Sequence, residues 1–217
     1  MHWNCVRKGV LNMNTRITER TTKLVQIALL VAIILLMAFT PIGYIKTFGL
    51  EITLIVVPVT VGAVALGPAG GAILGAIFGA TSFIQCFGMS PFGAALLGIN
   101  PWATFIVCMV PRLLMGWFTG LIFAGLRKTN MNKNVAIAIA NLVGPLLNTL
   151  FFMSALVIFF YNTEYIQGFA SLLGTTNVFA FIIAFVGING LVEAAACFIL
   201  GTAVSKALDV YNTKVGI

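Results

Sequence analysis

Six apolar runs, most of them close to twenty residues or longer, dominate this 217-residue chain: about 23–40, 50–66, 68–87, 102–126, 135–160 and 178–205. A helix needs about 20 such residues to cross a hydrocarbon core roughly 30 Å thick. Composition agrees, with 60% hydrophobic and only 8% charged residues, where a soluble domain carries roughly a quarter. The expected fold is an all-α membrane protein, a six-transmembrane-helix bundle. The second and third runs meet at Leu66-Gly67-Pro68, a helix stop followed at once by a helix start. A tight helical hairpin is expected there, with its two arms as neighbours.

The net charge of +7 invites a nucleic-acid reading, which its distribution removes. Arg7, Lys8, Arg16, Arg20 and Lys23 precede the first run, Arg127, Lys128 and Lys133 separate the fourth from the fifth, and Lys206 and Lys214 follow the sixth. Six crossings put all of these on one side, against Lys46 alone in the opposite loops. Positive residues stay cytoplasmic, so both termini are expected inside and the basic surplus reports topology. Residues 1–22 read as a basic cytoplasmic tail, 23–208 as the membrane domain and 209–217 as a second cytoplasmic tail. The first run is too long and too late for a secretory signal, and no small-residue cleavage pattern follows it.

Catalytic signatures are missing. The chain has no G-x-x-x-x-G-K-[ST] phosphate loop, no G-x-S-x-G elbow and no H-E-x-x-H helix, so no enzyme is expected and uphill transport would draw on an ion gradient or partner subunits. Its one histidine, His2, lies in the tail. Cys86, Cys108 and Cys197 fall within runs and show no ligand spacing; they read as small buried apolar side chains. No metal or other cofactor is expected.

Small residues mark packing faces. Gly67, Gly71, Gly75 and Gly79 recur every four residues, and Gly116 and Gly120 repeat the step in the fourth run. Such stripes let helix backbones approach closely. In the first run Ala28 and Ala32 make a similar step among large aliphatics, a place where a partner helix would dock.

Polar residues at depth need a reason. Glu193 lies in the sixth run, where a carboxylate is unfavourable by a few kcal/mol unless it faces the interior and has a partner. Arg112, about ten residues or roughly 15 Å into the fourth run, is its natural partner. Asn189 shares a helix face with Glu193, as Asn141 does with Asn148, and Gln85 and Asn100 lie near outer run ends. Two readings stand side by side: an Arg112–Glu193 ion pair with interhelical amide bonds, or a polar cavity open to the outside. The uncharged segment 87–101 and the aromatic-bearing segment 41–51 would serve as lids or as plain connectors.

Taken in order, Ala28-x-x-x-Ala32, Phe39-Thr-Pro-Ile-Gly-Tyr44, Val57-Pro-Val-Thr-Val-Gly through Gly67-Pro68 to Gly79, Asn100-Pro, Val110-Pro-Arg-Leu-Leu-Met-Gly116 and Asn189-Gly-Leu-Val-Glu193 resemble the substrate-binding component of an energy-coupling factor vitamin transporter. The resemblance covers about residues 23–208. It implies a six-helix bundle that captures a vitamin at the outer face of a prokaryotic cell membrane. A transmembrane coupling subunit and two cytoplasmic ATPases would then deliver it, with Ala28 and Ala32 docking the coupling subunit. The pocket regions of the family supply Tyr44, Arg112, Asn148, Asn189 and Glu193 here. An arginine at depth suits a carboxylate, and the resemblance is strongest to pantothenate-type members. Hydroxymethylpyrimidine or another vitamin, an ion-driven carrier and an intramembrane enzyme are the alternatives.

Overall fold

In a computed structural model, the backbone of residues 2–40, 44–46, 51–129, 131–175 and 177–215 is described. In lipid every backbone polar group must be satisfied within its own segment, which favours helices. Helices dominate here: α1 (His2–Phe39), α2 (Val56–Gln85), α3 (Pro91–Ile99), α4 (Pro101–Lys128), α5 (Lys133–Phe160), α6 (Glu164–Leu172), α7 (Val178–Ala196) and α8 (Thr202–Val215). A π-helical turn, Cys197–Gly201, joins the last two. The all-α expectation meets one exception, an antiparallel pair of three-residue strands, β1 (Tyr44–Lys46) and β2 (Glu51–Thr53), with Ile45 opposite Ile52.

Among the described residues five helices are long and apolar enough to cross a membrane: Arg20–Phe39, Val56–Gln85, Pro101–Lys128, Lys133–Phe160 and Gly190–Tyr211. The difference from six runs lies at Gly67, where α2 leaves helical geometry with φ 80° and ψ −172°. Glycine takes such a φ without a Cβ clash. Pro68 then opens the next arm, where its missing N–H costs no helical bond. Ala63 lies against Gly71, and the Leu74 side chain fills the space over Gly62. In one straight helix these pairs would be about 12 and 18 Å apart, so the chain reverses at Gly67 and the two arms pack together as the hairpin expected from the sequence.

The glycine stripe faces α4. Going along the second arm, Gly71 meets Gly116, Gly75 meets the Arg112 carbonyl, and Gly79 meets Met109 and the Cys108 carbonyl, while Pro68 sits beside Gly120. The falling order of the α4 numbers makes the pair antiparallel. A methyl group on Gly71 would run into the Gly116 carbonyl oxygen, and one on Gly75 into that of Arg112. Backbone against backbone is the tightest helix contact there is, and it requires these glycines.

Buried side chains form two main clusters. One joins Leu30, Ile34 and Ala38 of α1 with Val56, Val59, Leu74 and Phe78 of α2, Met115 and Cys197. The other gathers Leu96, Val107, Met153, Phe160, Ile166, Phe181 and Phe185, where α4 begins, α5 ends and α3 and α6 close over them. Short polar links pin the ends: Gln85 Nε2 donates to the Ala38 carbonyl (2.6 Å), tying α2 to α1. Asn100 caps α4 by accepting from the Ala103 N–H (3.1 Å). At the other end of the bundle Lys133 pairs with Asp209.

Candidate functional site

Arg112 sits at the meeting of α4, α5 and the second arm of α2. Its backbone is held by the contact with Gly75, so the side chain projects from a fixed point. The guanidinium carbon lies 4.6 Å from the Phe152 ring centre and 5.6 Å from that of Phe78. Two aromatic faces attract the partly buried cation. Nη1 donates to the Val107 carbonyl (2.6 Å), whereas the buried Nε has no hydrogen-bond partner.

Asn148 lies one helical turn from Phe152 along α5. On α5 Gly144, Asn148 and Phe152 fall four residues apart and share a face. Gly144 lies against Thr60 and Thr119, and Phe152 against Arg112, so Asn148 stands between those levels. Its side chain is buried and its Oδ1 lacks a partner. Asn141, two turns away toward the other end, has an unpartnered buried Oδ1 as well, but its Nδ2 donates to the Ile137 carbonyl (2.9 Å) and to Ser205 Oγ (3.2 Å), bracing α5 against α8. Gly201 leaves the room for that amide, since a Cβ there would strike Oδ1.

Glu193 is buried, at 7% exposure, and its partner corrects the sequence reading. The Thr53 backbone N–H donates to Glu193 Oε1 (2.8 Å), anchoring the β1–β2 hairpin to α7 across 140 residues of sequence. No oxygen of Glu193 comes within 4.0 Å of the Arg112 guanidinium, so the direct ion pair is absent. Glu193 accepts from a loop N–H, and the guanidinium contacts two aromatic faces and one carbonyl.

An aromatic layer covers this end. Phe92 of α3 lies within 6.2 Å, ring centre to ring centre, of Tyr165 and Phe169 of α6 and of Phe185 of α7. Phe185 precedes Glu193 by two turns, about 12 Å along the axis. Segment 87–101 is thus chiefly a short helix, started by Pro91 with Ser90 accepting from the Gly93 N–H (3.4 Å).

Of the residues singled out from the sequence, the structure puts Asn148 one helical turn from Phe152, the ring that packs on Arg112, and bonds Glu193 to the loop hairpin. Tyr44 belongs to β1, and Asn189 to α7; the side chains of both, and residues 41–43, lie outside the described residues. Ala28 and Ala32 are exposed on α1, between the exposed Leu24, Val25, Leu29, Ile33 and Leu36. Sequence reasoning missed the thiol pair Cys86 and Cys108, whose sulfurs are 3.7 Å apart. Their spacing of 22 residues carries no signal; only the antiparallel packing of α2 on α4 joins them.

Residues 22–205 match the family described as ECF transporter, substrate-specific component. The chain is 29% identical over 172 residues to the pantothenic acid transporter PanT of Lactococcus lactis, covering 74% of this chain and 79% of that protein. It is 27% identical over 211 residues to the pantothenate transporter PanT of Leuconostoc mesenteroides, covering 95% and 98%. The match spans most of the chain, and an apolar helical bundle with a buried polar level suits it: this protein belongs to the substrate-specific components of energy-coupling factor transporters, integral membrane proteins that are not enzymes.

Proposed function

We propose that the chain captures pantothenate at the outer face of the cell membrane and hands it to an energising module. The observation that carries this reading is the buried, unpartnered Nε of Arg112, held between the Phe78 and Phe152 rings, with the unpartnered Oδ1 of Asn148 one helical turn from Phe152. A guanidinium edge with free donors suits a carboxylate through paired hydrogen bonds, and an amide oxygen suits a hydroxyl or amide N–H of the same ligand. Pantothenate has all three groups, and both relatives above are named for it.

Six crossings, with each arm of α2 counted, and two cytoplasmic termini accord with the basic residues flanking α1, α4 and α5. Residues 23–208 form the membrane domain. Tyr44 and Asn189 complete the ligand contacts, and Glu193 acts through the hairpin it holds. Ala28 and Ala32 dock a transmembrane coupling subunit, which works with two cytoplasmic ATPases; this fits the absence of a phosphate loop from the sequence. Hydroxymethylpyrimidine is the second candidate cargo, less suited to an arginine because it has no carboxylate.

Isothermal titration of the purified chain, stripped of endogenous ligand, against pantothenate, thiamine precursors, riboflavin, folate and biotin tests this. Tight stoichiometric binding of pantothenate without ATP is expected. Binding of another vitamin, with pantothenate silent, overturns the assignment of cargo.

A further inference from the structure

Cys86 and Cys108 are both buried, and their sulfurs stand 3.7 Å apart, the Cys86 thiol also donating to the Ser82 carbonyl (3.4 Å). A disulfide needs about 2.05 Å, so each sulfur has to move by less than an ångström, within reach of small χ1 rotations. The backbone permits it on one side: Cys86 is the C-cap of α2, and the turn that follows contains Gly88 with φ 120°. Cys108 is held in α4, one turn before Arg112. The Cys86 sulfur also lies under α3, since a Cβ on Gly93 would approach it to 2.7 Å. The third buried cysteine, Cys197, packs in the separate cluster with Leu30 and Phe78.

We propose that Cys86 and Cys108 are a redox modification site, which a small disulfide or a diazene oxidant closes to an intramolecular disulfide. With a small disulfide, one cysteine sulfur attacks and displaces a first thiolate; the other then attacks the mixed disulfide and displaces a second. Two thiols become one disulfide, and the two protons leave on two small thiols. With a diazene, the two electrons and two protons reduce its N=N bond to a hydrazine. The bond ties the C-cap of α2, which lies under α3, to the helix that carries Arg112.

The test treats the full-length protein in detergent with the diazene diamide, alkylates remaining thiols with N-ethylmaleimide after denaturation, and maps peptides by mass spectrometry. The expected result is a Cys86–Cys108 linked peptide, reopened by dithiothreitol, with Cys197 alkylated. Cys86→Ser and Cys108→Ser each remove that peptide without creating another. Recovery of both residues as alkylated thiols overturns the proposal, whether the oxidant fails to enter or the sulfurs fail to meet. So does cross-linking of either to Cys5 or Cys197.

Discussion

α4 turns glycines toward α2 and an arginine toward α5, and these two junctions differ in kind. On the α2 side, Gly116 and the backbone of Arg112 press against Gly71 and Gly75, with no side chain between. On the α5 side, Arg112 Nε and Asn148 Oδ1 are buried and unanswered. The first junction is complete in itself. The second has hydrogen-bonding capacity that lipid cannot satisfy and a polar ligand can. The pairing teaches how a marginal site is held: the contact that fixes the Arg112 backbone is the one that tolerates no change.

The largest effect is expected from breaking the complete side. Gly71→Leu must displace the Gly116 backbone, and overpacking of even well-adapted cores costs about 1–3 kcal/mol; with backbone as the obstacle, the variant should fail to give a monodisperse peak on size exclusion. A well-behaved Gly71→Leu protein would show that the seam is not rigid. On the open side, Arg112→Ala should fold and yet lose pantothenate affinity by about 10- to 150-fold in titration, the worth of a charged hydrogen bond of roughly 1.5–3 kcal/mol. Equal affinity would reduce the arginine to a packing element.

Smaller effects sharpen the contrast. Glu193→Ala removes the acceptor for the Thr53 N–H, so trypsin should cut after Lys46 several-fold faster than in the unaltered protein, while Glu193→Gln, which keeps an acceptor oxygen, should cut at nearly the original rate. Identical rates in all three would separate Glu193 from the hairpin. Ala28→Trp adds bulk to an exposed face of α1 and touches neither junction; binding should be unchanged while cellular uptake falls. Lost binding with intact uptake machinery would place α1 within the ligand site instead.

Much of this architecture was legible in the sequence because it follows from local rules. The reversal at Gly67-Pro68 needed only the conformational habits of two residues, and the four-residue glycine step announced a close helix contact. What it touched was not announced: spacing names a face, and only the folded chain names the neighbour. The direct ion pair with Arg112, one of the two readings open for Glu193, is not formed, and the actual partner was hidden for a related reason. A search for its partner among charged side chains passed over the backbone N–H of Thr53, a donor every non-proline residue carries and no sequence pattern marks. The short helix α3 did have a signal, Ser90 followed by Pro91, which is a cap followed by a favoured first residue.

The hydrogen bond from Thr53 to Glu193 also sets an order on biosynthesis. The strand that donates leaves the ribosome 140 residues before the carboxylate that receives it. Until the segment that carries Glu193 has been made, the β1–β2 hairpin lacks this anchor, whereas the Gly67 hairpin needs only its own neighbours in the chain. The α2 hairpin can therefore close before this bond can form, and a chain truncated before Glu193 would lack the acceptor for the Thr53 N–H.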